Sequence, residues 1–220
     1  PRLWVLGLTR RPQWQPMRAM SPPNTTDLAT ASPRLPMVET RSSPHVQSPA
    51  FDVTGHLVGR QGDDDEAYRI DGIEHLDPFL MSVVSASDHW LYLSSAGGFT
   101  AGRVDASRCL LPYETDDRLH LGHGVSGPLT LIRASTGEGE AELWEPFDDR
   151  LLARGRRRSI TKSLLGTWVE LEEVDERLGL GLRVRYTTSE RYGFVRSVEL
   201  RRLPGSPVTR VALLDGLINL

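Results

Sequence analysis

Leu180-Gly181-Leu182-Arg183-Val184-Arg185-Tyr186 carries the clearest structural signal in the chain. Leu180, Leu182, Val184 and Tyr186 fall on one side of an extended backbone, with Arg183 and Arg185 on the other. A period of two built from branched and aromatic residues is the pattern of a half-buried antiparallel strand. The theme recurs on both sides. Thr167 to Val174 alternates well in its first half, and Phe194 to Leu200 follows Gly193. Val208 to Leu214 follows the Leu-Pro-Gly-Ser-Pro turn at 203–207. Upstream, His89-Trp90-Leu91-Tyr92-Leu93 sets its aromatics on one face and His89, Leu91 and Leu93 on the other. Leu129 to Ile132, set off by the turn chemistry of Gly127-Pro128, and Ala141 to Trp144 read as further short strands. No long apolar repeat of period 3.6 competes with these segments. The expected fold is therefore all-β, an antiparallel β-sandwich over residues 51–220 rather than a doubly wound α/β sheet.

A chain of 220 residues can hold one substantial core plus an extension. Nine of its 15 prolines lie before residue 50, at 1, 12, 16, 22, 23, 33, 36, 44 and 49. The same stretch carries six arginines but only two acids, Asp27 and Glu39. Proline removes backbone donors and interrupts both helix and ladder, so residues 1–50 read as a disordered, solvated leader. Its arginines are scattered among Ser, Thr and Pro, which favours a linker over a nucleic-acid-binding arm. The chain opens on Pro1, and Met20-Ser-Pro-Pro offers a plausible start downstream. At the other end, Leu213 to Leu220 is apolar without a polar tail, which suggests a sandwich cut through a continuing chain.

Composition sets further bounds. The chain is 39% hydrophobic and 25% charged with a formal net charge of -3, so no long-range field draws it to nucleic acid or an anionic membrane. The apolar run Leu3 to Leu8 falls well short of the roughly 20 residues a membrane helix needs, and it lacks a clean signal-peptide cleavage site. Cys109 is the single cysteine, which rules out an intrachain disulfide and a thiolate metal cluster. It is expected as a buried core thiol, and the absence of disulfides fits a cytoplasmic setting.

Several stretches invite chemical readings. Ser94-Ser-Ala-Gly-Gly-Phe-Thr-Ala-Gly-Arg103 is the most functional-looking loop, because its glycines permit close backbone approach and its hydroxyls and amides suit an anion or sugar hydroxyls. It matches neither the phosphate-loop pattern nor Gly-x-Gly-x-x-Gly, and a long hairpin connection is the plainer reading. Trp90, Tyr92 and Tyr113 around it offer sugar-stacking surfaces, although strand aromatics more often serve a core. His120 and His123 can share a metal only with a third ligand from Asp116, Asp117, His89 or elsewhere, and zinc wants three or four. Asp116 and Asp117 are carboxylates for acid–base work, but neighbours in sequence need not point into one pocket. Arg154-Gly-Arg-Arg-Arg158 is a compact basic patch without interleaved aromatics, and it is read as neutralising nearby acids rather than gripping nucleic acid. Asp63-Asp-Asp-Glu66 forms an acidic turn without the order of a calcium loop. No Gly-x-Ser-x-Gly elbow occurs. No residue emerges as general acid, nucleophile or metal ligand, and no cofactor is implied.

Asp77-Pro-Phe-Leu-Met-Ser-Val-Val84, the run Ser87 to Arg103, and Pro112-Tyr-Glu-Thr-Asp-Asp117 resemble segments of large cellobiose phosphorylase-like proteins. Thr187-Thr-Ser-Glu-Arg-Tyr-Gly-Phe-Val-Arg196 and Leu214-Asp-Gly-Leu-Ile-Asn219 look like the same group. The resemblance covers about 51–220. It implies an N-terminal β-supersandwich, similar in fold to galactose mutarotase, that precedes a helical (α/α)6 barrel carrying the catalytic carboxylates. The chain would then be an incomplete sandwich without catalytic residues of its own. Its partners would be the downstream catalytic domain of the same chain and an oligosaccharide, not nucleic acid or membrane. Trp90, Tyr92, Arg103, Tyr113, Asp116 and Asp117 are the residues expected at a supporting sugar site or interdomain contact. Two alternatives remain open: an autonomous sugar-binding or protein-interaction domain, and a small metal-dependent hydrolase using His120, His123 and an acid.

Overall fold

The computed structural model describes residues 53–59, 66–137, 139, 141–148 and 155–219. They belong to the second of two units, Pro1–Gln47 and Ser48–Leu220. The expected leader and the acidic positions 63–65 lie outside the described residues.

Three antiparallel sheets build the sandwich. The largest has six strands, in the order β1 (Thr54–Val58), β2 (Ala67–Asp71), β9 (Arg156–Ser163), β10 (Trp168–Asp175), β11 (Leu180–Ser189) and β12 (Gly193–Arg202). A four-stranded sheet joins β3 (Leu80–Val83), β4 (His89–Ser94), β5 (Phe99–Arg103) and β6 (Asp105–Cys109) in sequence order. The third sheet sets β13 (Arg210–Ile218) beside β7 (Gly127–Ser135), and β7 beside β8 (Glu142–Trp144). A five-residue helix, α1 (Asp116–His120), interrupts the path from β6 to β7. Among the described residues no helix is long and apolar enough to cross a membrane.

The alternation along β11 works as its sequence predicts. Leu180, Leu182, Val184 and Tyr186 are buried and join Ile160, Val169, Leu171, Leu91, Leu93, Ile132 and Trp144 in one apolar cluster drawn from all three sheets. Each fully buried side chain of leucine size contributes about 1.5–3 kcal/mol, so this cluster dominates the cohesion of the fold. Arg183 and Arg185 take the opposite face. Arg183 forms ion pairs with Glu170 at 3.0 Å and Glu199 at 3.3 Å, and the Arg185 guanidinium lies 4.1 Å from the centre of the Trp168 ring.

One end of the core holds charge. Glu173 is fully buried on the inward face of β10. It accepts hydrogen bonds from Trp144 Nε1 at 2.8 Å, from the Phe147 amide at 2.7 Å and from Arg158 Nε at 2.7 Å. Beside it, Arg156 Nε donates to Asp175 at 3.2 Å. Of the supposed basic patch, Arg154 lies outside the described residues, and the rest runs into strand β9: Arg156 and Arg158 turn inward to these acids, and Arg157 turns outward to Glu176 at 2.7 Å. Neutralisation is its role, but the acids come from the neighbouring strand in register, Glu173 opposite Arg158 and Asp175 opposite Arg156.

Four other expectations are corrected. Phe99–Arg103 is strand β5, and only Ser95–Gly98 turns the chain, closed by the Ser94 amide on the Gly98 carbonyl at 2.8 Å with Gly97 at φ 92°. Both faces of β5 are covered, with Phe99, Thr100, Ala101 and Gly102 all buried, so the polar half of a strand pattern is missing from its sequence. Gly127 and Pro128 open β7 instead of turning before it, since proline is tolerated at a strand start. Cys109 ends the edge strand β6 and is exposed rather than buried. The C-terminal strand runs Arg210–Ile218, later than Val208 to Leu214, because Val208 is a buried plug before the strand begins.

Candidate functional site

Strand β4 has two characters. Leu91 and Leu93 enter the core, while Trp90 and Tyr92 stand on the outer face of the four-stranded sheet. Opposite Trp90 in the β4–β5 register is Gly102. A Cβ on Gly102 would lie 2.3 Å from Trp90 Cζ2, so the indole rests directly on glycine backbone. The Tyr92 ring centre is 5.8 Å from that of Trp90 at a 35° tilt.

The third aromatic arrives from a distant part of the chain. After β6, residues 110–126 fold back over the outer face of the sheet. Its own Leu111 and Leu119 are buried. The Thr100 hydroxyl on β5 donates to the Pro112 carbonyl at 3.0 Å. That bond fixes the chain just before Tyr113, whose ring meets Trp90 edge-on at 5.8 Å and 79°. Trp90 is half-buried, whereas Tyr92 and Tyr113 are 37% and 56% exposed. The three expected aromatics therefore form one surface cluster.

Helix α1 is pinned over the same sheet. The Ser94 hydroxyl and His120 Nδ1 are 2.7 Å apart, and His120 Nε2 lies 3.2 Å from Asp116. Gly98 lets the helix approach, since a Cβ there would sit 1.7 Å from the Leu119 carbonyl oxygen. Serine, histidine and aspartate thus form a line that superficially matches a hydrolase triad. The orientation is the reverse of that template, in which Nε2 takes the serine proton and the acid holds Nδ1. Ser94 is also fully buried, and its hydroxyl accepts the Ala96 amide at 3.0 Å. The nearby internal cavity, lined by Ser94, His123, Thr130, Tyr186 and Arg196 among others, is about 20 Å³. That is room for a single water and not for an acyl substrate. The line secures the helix.

The expected carboxylates and cations divide their roles. Asp116 is committed to His120. Asp117 is exposed, and a hydrogen bond with Thr115 holds its pKa below the ordinary value. Arg103 Nε donates to both oxygens of Asp88 at 2.9 Å, which lowers the Asp88 pKa in the same way. The histidines proposed to share a metal go to different carboxylates, His120 to Asp116 and His123 to Glu145 at 3.3 Å. Among the described residues no group of three or more His, Cys, Asp or Glu side chains is placed to hold a metal ion.

Sequence reasoning missed Thr100, Gly102, Ser94 and His120 as the supports of this surface. Gly102 was findable in principle, because a hairpin register sets it opposite Trp90. The Thr100–Pro112 and Ser94–His120 links span 12 and 26 positions and leave no local signature. In comparisons with known proteins, no family model and no curated protein matches the chain.

Proposed function

We propose that this sandwich is a noncatalytic carbohydrate-recognition module whose binding surface is the Trp90–Tyr92–Tyr113 cluster. The observation that carries it is the assembly of three aromatic rings, from β4 and from the segment after β6, on a strand face turned away from the core. A pyranose presents an apolar face of C–H groups and a rim of hydroxyls. Aromatic rings receive the first, and a few fixed polar groups orient the second. Asp117, exposed on the covering segment that carries Tyr113, is a polar group of that kind, whereas Arg103 stands opposite His89 and so belongs to the other face of the sheet.

Support also comes from the resemblance to cellobiose phosphorylase-like proteins, in which a β-sandwich assists a helical (α/α)6 barrel. On this proposal the chain supplies sugar contacts and a scaffold, and a barrel domain supplies the catalytic carboxylates. A cytoplasmic setting agrees with a lone exposed thiol.

Titration with neutral oligosaccharides, followed by tryptophan fluorescence and two-dimensional NMR, tests the proposal. Binding should perturb the Trp90 indole, and Trp90→Ala or Tyr113→Ala should weaken affinity at least about tenfold, or about 1.4 kcal/mol. Absence of binding to a broad panel at millimolar sugar overturns it. So does binding that Trp90→Ala leaves unchanged.

A further inference from the structure

Successive side chains of a strand alternate, so β4 gives its outer face Trp90, Tyr92 and Ser94. The last of these positions is taken. Ser94 is fully buried, and its hydroxyl lies 2.7 Å from His120 Nδ1 on α1. The next strand closes a second side. Thr100, opposite Tyr92 in the β4–β5 register, is 1% exposed and donates to the Pro112 carbonyl at 3.0 Å. Opposite Trp90 on the same strand stands Gly102, and the indole itself fills the space above it. Among the described residues the aromatic floor is therefore Trp90 and Tyr92, two side chains about 7 Å apart along an extended strand. Their ring centres lie 5.8 Å apart at a 35° tilt, so the floor is dished. Tyr113 does not lengthen it. Its ring plane stands at 79° to that of Trp90 and makes a wall beside the floor. Further chain laid over this face would narrow the corner, since α1 and Pro112 already hold two of its sides.

On the sugar-site reading of this cluster, on which the inference rests, we propose that the corner receives a single terminal pyranosyl unit and not an internal run of a polysaccharide. A polysaccharide run stacks successive units on rings set in one plane along a line, and each further unit adds affinity. Here the rings converge on Trp90 instead of forming a row, with Tyr92 and Tyr113 both centred 5.8 Å from it. A pyranose is about the size of one aromatic ring. Laid on this floor, it turns its apolar face to Trp90 and its edge to Tyr113. Ser82, opposite Tyr92 in the β3–β4 register, brings a hydroxyl to the same face for the sugar rim. A second unit placed along β4 meets α1, and one placed toward β5 at Tyr92 meets Pro112. The end of the ligand therefore lies inside the corner, and the rest of the ligand leaves it.

Calorimetry and saturation-transfer NMR on the full chain test the proposal. The probes are the methyl pyranosides of glucose, galactose, mannose and xylose and their linear homo-oligomers up to the hexamer. Affinity should change by less than about fivefold from the methyl glycoside to the hexamer, and saturation should concentrate on one terminal unit. Cyclic glucose oligomers, which have no terminal unit, should not bind. A gain of about fivefold or more with length overturns the proposal, as do even saturation of internal units and binding of the cyclic oligomers. Those results leave the sugar site itself standing. No binding by any sugar of the panel, or binding that Trp90→Ala leaves unchanged, overturns the site and this proposal with it.

Discussion

Replacing Glu173 with glutamine probes how the charged end of the core is held. The carboxylate receives three donors: Trp144 Nε1 on Oε1, and both the Phe147 amide and Arg158 Nε on Oε2. An amide has one accepting oxygen. The least costly arrangement keeps that oxygen on the side of Phe147 and Arg158 and turns the NH2 toward the indole. Trp144, which is fully buried, then faces a donor with a donor. An orphaned buried donor costs about 1–3 kcal/mol, and the lost charge-assisted bond to Arg158 about 1.5–3 kcal/mol. The sum agrees with the roughly 3–5 kcal/mol found when one partner of a buried ion pair is removed. Phe147 sharpens the effect. Its backbone sits at φ 67°, a region non-glycine residues seldom occupy, and the amide bond to Glu173 helps keep it there. Taking about 4 kcal/mol and a urea slope of about 2 kcal/mol per molar, the midpoint should fall by about 2 M. Adding Arg158→Met removes the cation that had bonded the carboxylate, so the double variant should be more stable than the sum of the two losses predicts. A midpoint shift below about 0.5 M for Glu173→Gln, or strict additivity in the cycle, would refute this reasoning.

Two further outcomes follow from the packing. Gly98→Ala should lift α1 from the sheet, since the new methyl meets the Leu119 carbonyl at 1.7 Å; the loss should be about 1–3 kcal/mol. Its signature is a changed His120 imidazole spectrum as the Ser94 bond breaks, and an unchanged spectrum would count against the assigned contact. Burial is the main cause that raises the Tyr186 pKa above the ordinary tyrosine value; the Arg196 guanidinium opposes the rise and the Asp215 carboxylate adds to it. The neutral phenol is therefore favoured in the folded state. The stability this contributes is complete below about pH 10, where an unfolded tyrosine begins to ionise, and is lost as pH rises through the folded value. Urea midpoints of the parent should drop more steeply than those of Tyr186→Phe above about pH 10, and parallel curves would refute the assignment.

The strand class and the aromatic face of β4 were legible because both depend on local alternation. Leu180 to Tyr186 needs no knowledge of its neighbours to be read as half-buried, and β11 follows it residue by residue. Where a strand is covered on both sides the pattern vanishes. Phe99–Arg103 looked like a loop for that reason, and α1 passed unnoticed because five residues are too few to show a period.

What the sequence by itself determined, then, is an all-β chain with Trp90 and Tyr92 opposite Leu91 and Leu93. Alternation separates two faces but does not say which meets solvent. Only the tertiary structure decided that the leucines turn inward, that Tyr113 closes on Trp90 over Gly102, and that Arg156 and Arg158 disappear into the core to meet Asp175 and Glu173. Each of those outcomes rests on contacts between residues that neighbouring positions in the chain do not specify, made when sheets pack and strands fall into register.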